Sequence, residues 1–212
     1  MLIDWHGQSF FEIGIKGKEK EKIVLIIDPF DKSLGLKVPK IETDILLLTN
    51  PAGEIENIKE KIGQPFLINQ AGEYELKEVF IKGIPSFRGE KLLNIIYKIK
   101  GEEIKICHLG AMNQKELTSE QLEEIGEVDI LMIPVGGDTV LPPKEAAEIV
   151  SQIEPKLVIP MFYKIPKINL KLENLDKFLK IMGIQKTEPQ KKLKVSKKDL
   201  PKEETEIVVL ES

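Results

Sequence analysis

Four residues carry side chains that can do chemistry at one site: Asp28, Glu54, Arg88 and His108. Each lies at or shortly after an apolar, strand-like segment, where loops place binding groups on a rigid scaffold. Carboxylates and an imidazole can bind a metal ion or act as general bases. A guanidinium can hold a carboxylate or phosphate through two parallel hydrogen bonds. One hypothesis is an anion site at Arg88 with Glu54 and His108, and another is weak metal binding by Asp28, Glu54 and His108.

Two of the four residues also have a plainer interpretation, which we favour. His108 ends an apolar segment, where a histidine is typically buried and hydrogen-bonded to the backbone. Asp28 precedes Pro29 and is expected to support a turn. Two glycines, Gly136 and Gly137, follow another apolar segment and predict a positive φ or a close backbone approach.

Short β-branched segments between charged, Gly or Pro turns predict the strands that position these residues. They span 10–15, 23–27, 45–49, 79–84, 94–99, 104–108, 130–134, 157–160 and 206–210. Helical spacing of apolar residues predicts helices that begin near Thr118, at Pro143 and near Leu172. The first part of the chain contains mainly predicted strands, and in the later part strands alternate with helices. This order indicates an α/β or α+β fold of two packed sheets with helices outside.

Composition bounds the protein class. A chain of 212 residues is long enough for one large domain, which we expect to span 1–212. Its net charge of −4 gives no general attraction to nucleic acid, and its apolar runs are too short to span a membrane. A single cysteine, Cys107, and an N-terminus unlike a signal peptide favour a cytoplasmic location.

Several short segments, in order along the chain, carry a resemblance to a known family. They read WHGQS at 5–9, IIDPF at 26–30, DILLLT at 44–49, GEYE at 72–75, ICHLG at 106–110, VDILMIPVGG at 128–137, IPM at 159–161 and a last segment at 200–210. They resemble the metallo-β-lactamase superfamily, in particular its lactonase-like branch of Zn-dependent hydrolases. The resemblance implies a four-layer αββα sandwich with Zn or Mn as the cofactor.

The positions where this family has metal ligands hold other residues in this chain. The resemblance aligns the family's His-x-His-x-Asp-His loop with residues 50–55, its third-motif histidine with Arg88, its bridging aspartate with Ala111 and its last histidine with Phe162. Within the loop, the aligned residues are Asn50, Ala52, Glu54 and Ile55. Only Glu54 keeps a carboxylate, whereas catalytic zinc takes three protein ligands. We therefore expect no cofactor.

The replacements themselves predict how the former site is filled. Phe162 and Ile55 are expected to occupy the metal cavity with apolar atoms. Arg88 and Glu54 are expected to pair, with the guanidinium supplying the positive charge that a metal supplies in the family. Next to the site, the family's Gly-His-Ser is Gly7-Gln8-Ser9 in this chain.

The resemblance and the lost ligands lead to a first hypothesis and an alternative. The first is a pseudoenzyme, a non-catalytic binding or assembly protein. The alternative is a hydrolase of an anionic ester, lactone or phosphoester with an altered or metal-poor site. The expected partner is a small molecule or a protein that the sequence does not identify; nucleic acid and membrane are not expected, and a homo-oligomer is compatible with the sequence.

Overall fold

Short β-branched segments form most of the strands, as their sequence pattern predicts. The computed structural model describes residues 1–17, 21–30, 32–53, 56–88, 92–166, 168 and 170–212. The strands are β1 (Leu2–Trp5), β2 (Phe11–Lys16), β3 (Lys22–Ile27), β4 (Ile45–Leu47), β5 (Phe66–Ile68), β6 (Gly72–Leu76), β7 (Val79–Arg88), β8 (Leu92–Gly101), β9 (Ile104–His108), β10 (Ile130–Pro134), β11 (Leu157–Met161), β12 (Leu193–Lys194) and β13 (Glu206–Ile207).

The helices are short and begin at residues that the sequence marks. They are α1 (Lys59–Ile62), α2 (Ser119–Ile125), α3 (Pro143–Ile153) and α4 (Leu175–Ile181), with 3-10 turns at Lys32–Leu34, Glu56–Ile58 and Lys197–Asp199. Before α2, Thr118 and Gln121 form a capping box, in which each side chain bonds the other residue's backbone N–H. Pro143 opens α3 at a position where its missing N–H costs nothing.

The strands form two mixed sheets. The first has the order β12-β1-β2-β3-β4-β5 and the second has the order β13-β11-β10-β9-β8-β7-β6. In the first sheet β3, β4 and β5 run parallel, and in the second β9, β10, β11 and β13 run parallel. The parallel strands of each sheet therefore bring several loops to one edge.

Alternation along the strands explains the layers. Successive side chains of a strand point to opposite faces. Leu25 and Ile27 of β3 belong to the main core, which includes both sheets, while Ile26 belongs to a second cluster with Ile62 of α1. On the second sheet β10 is buried throughout and α3 packs against it. The expected αββα sandwich is confirmed.

No helix within the described ranges is long and apolar enough to cross a membrane.

Candidate functional site

A pocket of about 350 Å³ lies where the strand ends of the two sheets meet. Asp28 follows β3, Asp138 follows β10 and Phe162 follows β11, so the pocket lies at the carboxyl ends of parallel strands, as is usual for ligand sites in α/β sheets. Its polar lining consists of Gln8, Ser9, Asp28, Arg88, Asp138 and Thr139. Its apolar lining consists of Phe30, Leu34, Phe162, Leu170 and Leu172.

Asp28 is held by the loop after β4. Its Oδ1 accepts a hydrogen bond from the backbone N of Thr49 at 2.7 Å, and its Oδ2 accepts one from the Thr49 hydroxyl at 2.6 Å. Loss of solvation raises the pKa of Asp28 to about 6. The hydrogen bonds from Thr49 and Ser9 and the charge of Arg88 lower the pKa, but their effect is smaller than that of burial. A carboxyl group that titrates near neutral pH can exchange protons at physiological pH.

Arg88, at the end of β7, is half-buried and lines the same pocket. Its Nη2 donates to the Thr139 hydroxyl at 3.1 Å. Arg88 forms no ion pair with any described residue, although its charge favours the ionised form of Asp28. The expected partner, Glu54, lies outside the described residues, so the Arg88–Glu54 pair stays a prediction.

His108 has a structural role in this arrangement. It is fully buried at the end of β9, where its Nε2 lies 3.1 Å from the Ser9 carbonyl oxygen and its Nδ1 accepts from the Gly110 N–H at 3.1 Å. These partners require the proton on Nε2. Burial lowers the pKa of His108 to about 3, although the backbone hydrogen bond to Ser9 raises it. A neutral imidazole with both nitrogens occupied is not placed to act as a base or as a metal ligand.

Three other predicted positions lie away from the pocket lining. Asn50 and Ala52 are exposed, and the Asn50 side-chain oxygen accepts the Ala52 N–H at 3.1 Å, which closes a local turn. Ala111 is buried, and its N–H donates to the Asn94 side-chain oxygen at 3.1 Å. The structure thus brings Asp28, Arg88 and Phe162 together in the pocket lining. Asn50, Ala52 and Ala111 are not part of that lining. Ile55, the second expected cavity filler, lies outside the described residues.

Phe162 lines the pocket with a buried ring on an unusual backbone. Its φ of 56° is left-handed, and its carbonyl oxygen would lie 2.0 Å from a Cβ placed on Gly136. Gly136 therefore permits the close backbone approach that the sequence suggested, and Gly137 has a φ of 68°.

Backbone strain is concentrated around the pocket. Among the described non-glycine residues with positive φ, four line it: Gln8, Asp28, Asp138 and Phe162. Each such residue costs on the order of 1–3 kcal/mol, and strained residues cluster at functional sites. The other members of this set lie in hairpin turns and at the end of α3. This distribution marks the pocket as the functional region of the described structure.

Comparison with known proteins agrees with the fold. A family model described as "Beta-lactamase superfamily domain" matches residues 2–162. A solved structure from Thermotoga maritima is assigned as a Zn-dependent hydrolase of the metallo-β-lactamase superfamily. It is 32% identical to this chain with a TM-score of 0.82, and the match covers 99% of this chain and 98% of that one. This chain belongs to the metallo-β-lactamase superfamily.

Three further proteins have lower sequence identity to this chain. A protein named metal-dependent hydrolase from Methanopyrus kandleri is 23% identical over 87% of this chain and 94% of its own length. One of the same name from Lysinibacillus sphaericus is 29% identical over 77% of this chain and 85% of its own. A metallo hydrolase from Ignicoccus hospitalis, 16% identical with a TM-score of 0.61 over 91% of this chain and 97% of its own, shows the fold alone.

These superfamily relatives correct one expectation. The expectation that the chain has no cofactor is wrong, because its relatives are named metal-dependent hydrolases and the T. maritima structure is assigned as a Zn-dependent hydrolase. Those names imply a metal cofactor.

The described residues nevertheless do not fit that metal. No group of three or more His, Cys, Asp or Glu side chains that could hold a metal ion occurs among them. Both nitrogens of His108 are already bonded, and Asp28 already accepts two bonds from Thr49. Arg88 adds a cation to the pocket lining. The relatives' names and the donor set of this pocket disagree, and Glu54 lies outside the described residues.

Four residues of the polar lining were not among the site residues that the sequence predicts: Gln8, Ser9, Asp138 and Thr139. Asp138 and Thr139 follow the segment 130–134, so their place after a predicted parallel strand was the signal available. For Gln8 the signal was its alignment with a histidine of the family.

Proposed function

We propose that this superfamily member is a binding protein that has lost metal-dependent hydrolysis and uses its pocket to hold a small charged molecule. The observation that carries the proposal is the character of the pocket lining. Arg88 and Phe162, which the resemblance aligns with metal-binding histidines, contribute a guanidinium and an apolar ring there. A guanidinium is suited to holding a ligand and, because it is always protonated, cannot serve as a base.

Two groups that could activate a nucleophile, His108 and Asp28, already have hydrogen-bond partners. Hydrolysis needs a base within hydrogen-bond reach of the attacking water. The His108 nitrogens bond to Ser9 and Gly110, and its lowered pKa keeps the ring neutral. The Asp28 carboxylate bonds to Thr49. The geometry supports recognition more strongly than proton transfer.

One observation favours the alternative, a hydrolase of an anionic ester, lactone or phosphoester with an altered site. The pKa of Asp28, raised by burial to about 6, suits a general base at neutral pH. Arg88 lines the same pocket and could hold the anionic part of such a substrate.

A turnover assay separates these two functions. The protein would be tested on a lactone, on bis(4-nitrophenyl) phosphate and on 4-nitrophenyl phosphate, with and without added Zn²⁺ or Mn²⁺. The proposal expects no turnover above the rate of the buffer in any condition. Turnover that rises with the added metal would overturn it. Turnover without added metal that is lost in Asp28→Asn but kept in the control Lys82→Met would establish the alternative.

A further inference from the structure

The pocket presents charges of both signs. Among the described residues that line it, Arg88 is a cation and Asp28 and Asp138 carry carboxyl groups. Among the described residues the Arg88 side chain bonds to Thr139, and a guanidinium carries five N–H donors, which can hold more than one acceptor. A ligand with only negative charge would meet the carboxylates, and one with only positive charge would meet Arg88. A molecule that carries both charges suits the site better than either.

Gln8 provides a second, independent observation. Its side chain lines the pocket with 4% exposure, and its Nε2 and Oε1 are buried without a hydrogen-bond partner among the described residues. Buried amides are almost always hydrogen-bonded, and an unsatisfied one calls for an explanation such as an absent ligand. The amide offers an acceptor to an ammonium group and a donor to a carboxylate.

The rest of the pocket is apolar. Phe30, Leu34, Phe162, Leu170 and Leu172 line it, and Leu170 is 43% exposed. The volume of about 350 Å³ lies at the lower end of the range for small-molecule sites. A compact apolar group that enters the pocket would cover Leu170 and remove apolar surface from water.

We infer that the pocket binds a small zwitterion, namely an α-amino acid with an apolar side chain. Its carboxylate pairs with the Arg88 guanidinium, its ammonium group pairs with the Asp138 carboxylate and the Gln8 oxygen, and its side chain packs against the apolar lining. The inference rests on the proposed function, since it assumes that the pocket binds a molecule without cleaving it.

Calorimetric titration with leucine and two analogues that each lack one charge tests the charge requirement. The analogues are 4-methylpentanoate, which lacks the ammonium group, and 3-methylbutylamine, which lacks the carboxylate; phenylalanine and methionine extend the set. We expect at least one of the three amino acids to bind, and leucine to bind at least about tenfold more tightly than either analogue. If 4-methylpentanoate binds as tightly as leucine, or no amino acid binds, the inference is overturned while the proposed function is not. Only turnover in the hydrolysis assay overturns the proposed function.

Matched variants test the residues. Arg88→Met is expected to weaken the binding of the tightest amino acid at least about tenfold. Lys82→Met is the control, because Lys82 lies on the same strand, pairs with Glu73 at 3.2 Å and is not among the pocket residues. Gln8→Met is expected to weaken binding without lowering the melting temperature, which separates a ligand contact from a structural role. Unchanged affinity in Arg88→Met overturns the inference.

Discussion

Asp28 and Thr49 are joined by two hydrogen bonds, at 2.7 Å to the backbone N–H and at 2.6 Å to the hydroxyl. The two residues follow β3 and β4, which are parallel neighbours. Both carboxylate oxygens are thereby used to tie one strand end to the next. This relationship keeps Asp28 in its left-handed conformation at the pocket, with a φ of 47°.

Thr49→Val removes the hydroxyl bond to Asp28. Because hydrogen bonds to charged groups contribute more than neutral ones, we expect the free energy of unfolding to fall by about 1.5–3 kcal/mol. Thr43→Val is the matched control, since it removes a neutral hydroxyl bond to the Val24 carbonyl and is expected to cost about 1 kcal/mol. Urea unfolding at pH 7 measures both, and equal losses would contradict the prediction.

The raised pKa of Asp28 makes stability depend on pH. Its pKa in the folded protein is about 6, above the ordinary 3.8, so folding favours the protonated form. The stabilisation from this group is fully present below about pH 4 and is lost as the pH rises through about 6. Relative to Asp28→Asn, which also tolerates the left-handed backbone, the wild type is expected to lose at most about 3 kcal/mol between pH 4 and pH 7.5.

Urea unfolding of both proteins across that range checks the sign of the effect. Stability curves of the wild type and Asp28→Asn that run parallel would show that Asp28 keeps its ordinary pKa.

Phe162 combines a buried ring with a strained backbone, and two substitutions separate these effects. Phe162→Ala is expected to lower the free energy of unfolding by about 3–5 kcal/mol through the lost ring. Phe162→Gly removes the same ring but relieves the left-handed strain, so it is expected to be less damaging by about 1 kcal/mol. Calorimetric melting measures the stability of the two variants. A glycine variant that is less stable than the alanine variant would contradict the assignment of strain to Phe162.

Gly136→Ala places a Cβ 2.0 Å from the Phe162 carbonyl oxygen, a contact that only a shift of the backbone can relieve. We expect a loss of about 3 kcal/mol or more, as for overpacked interiors. Gly14→Ala is the control, because its Cβ meets the flexible end of Lys22 at 3.0 Å. Similar melting temperatures for the two variants would show that the loop at Gly136 yields easily.

Gln8→Met tests whether the buried amide is a cost to the folded protein. Methionine keeps the length of the side chain but removes the two polar atoms that lack partners. We expect the free energy of unfolding to rise by about 1 kcal/mol, because a buried unsatisfied group no longer has to be desolvated. A lower stability, measured in urea, would indicate that the amide is hydrogen-bonded in solution.

Local sequence pattern predicted the central elements well and the edges poorly. The segments 23–27, 104–108 and 130–134 are strands because their β-branched residues are buried in a sheet. The strands β1, β5, β6 and β12 were missed. β5, β6 and β12 lie at sheet edges and are partly exposed, while β1 is buried but only four residues long and lies next to β12. Such short strands exist because a neighbouring strand supplies hydrogen bonds, which no local pattern records.

The sequence by itself determined the fold class, because motif order is a property of the chain alone. Through the family resemblance it also predicts that Asn50, Ala52, Arg88, Ala111 and Phe162 lie at the family's metal-ligand positions. Only the tertiary structure decided that Arg88 bonds to Thr139, that His108 is neutral and fully bonded, and that Asn50 and Ala52 are not part of the pocket lining. Those outcomes depend on burial and on contacts between residues far apart in the chain. Packing of the two sheets sets both, so spacing along the sequence cannot reveal them.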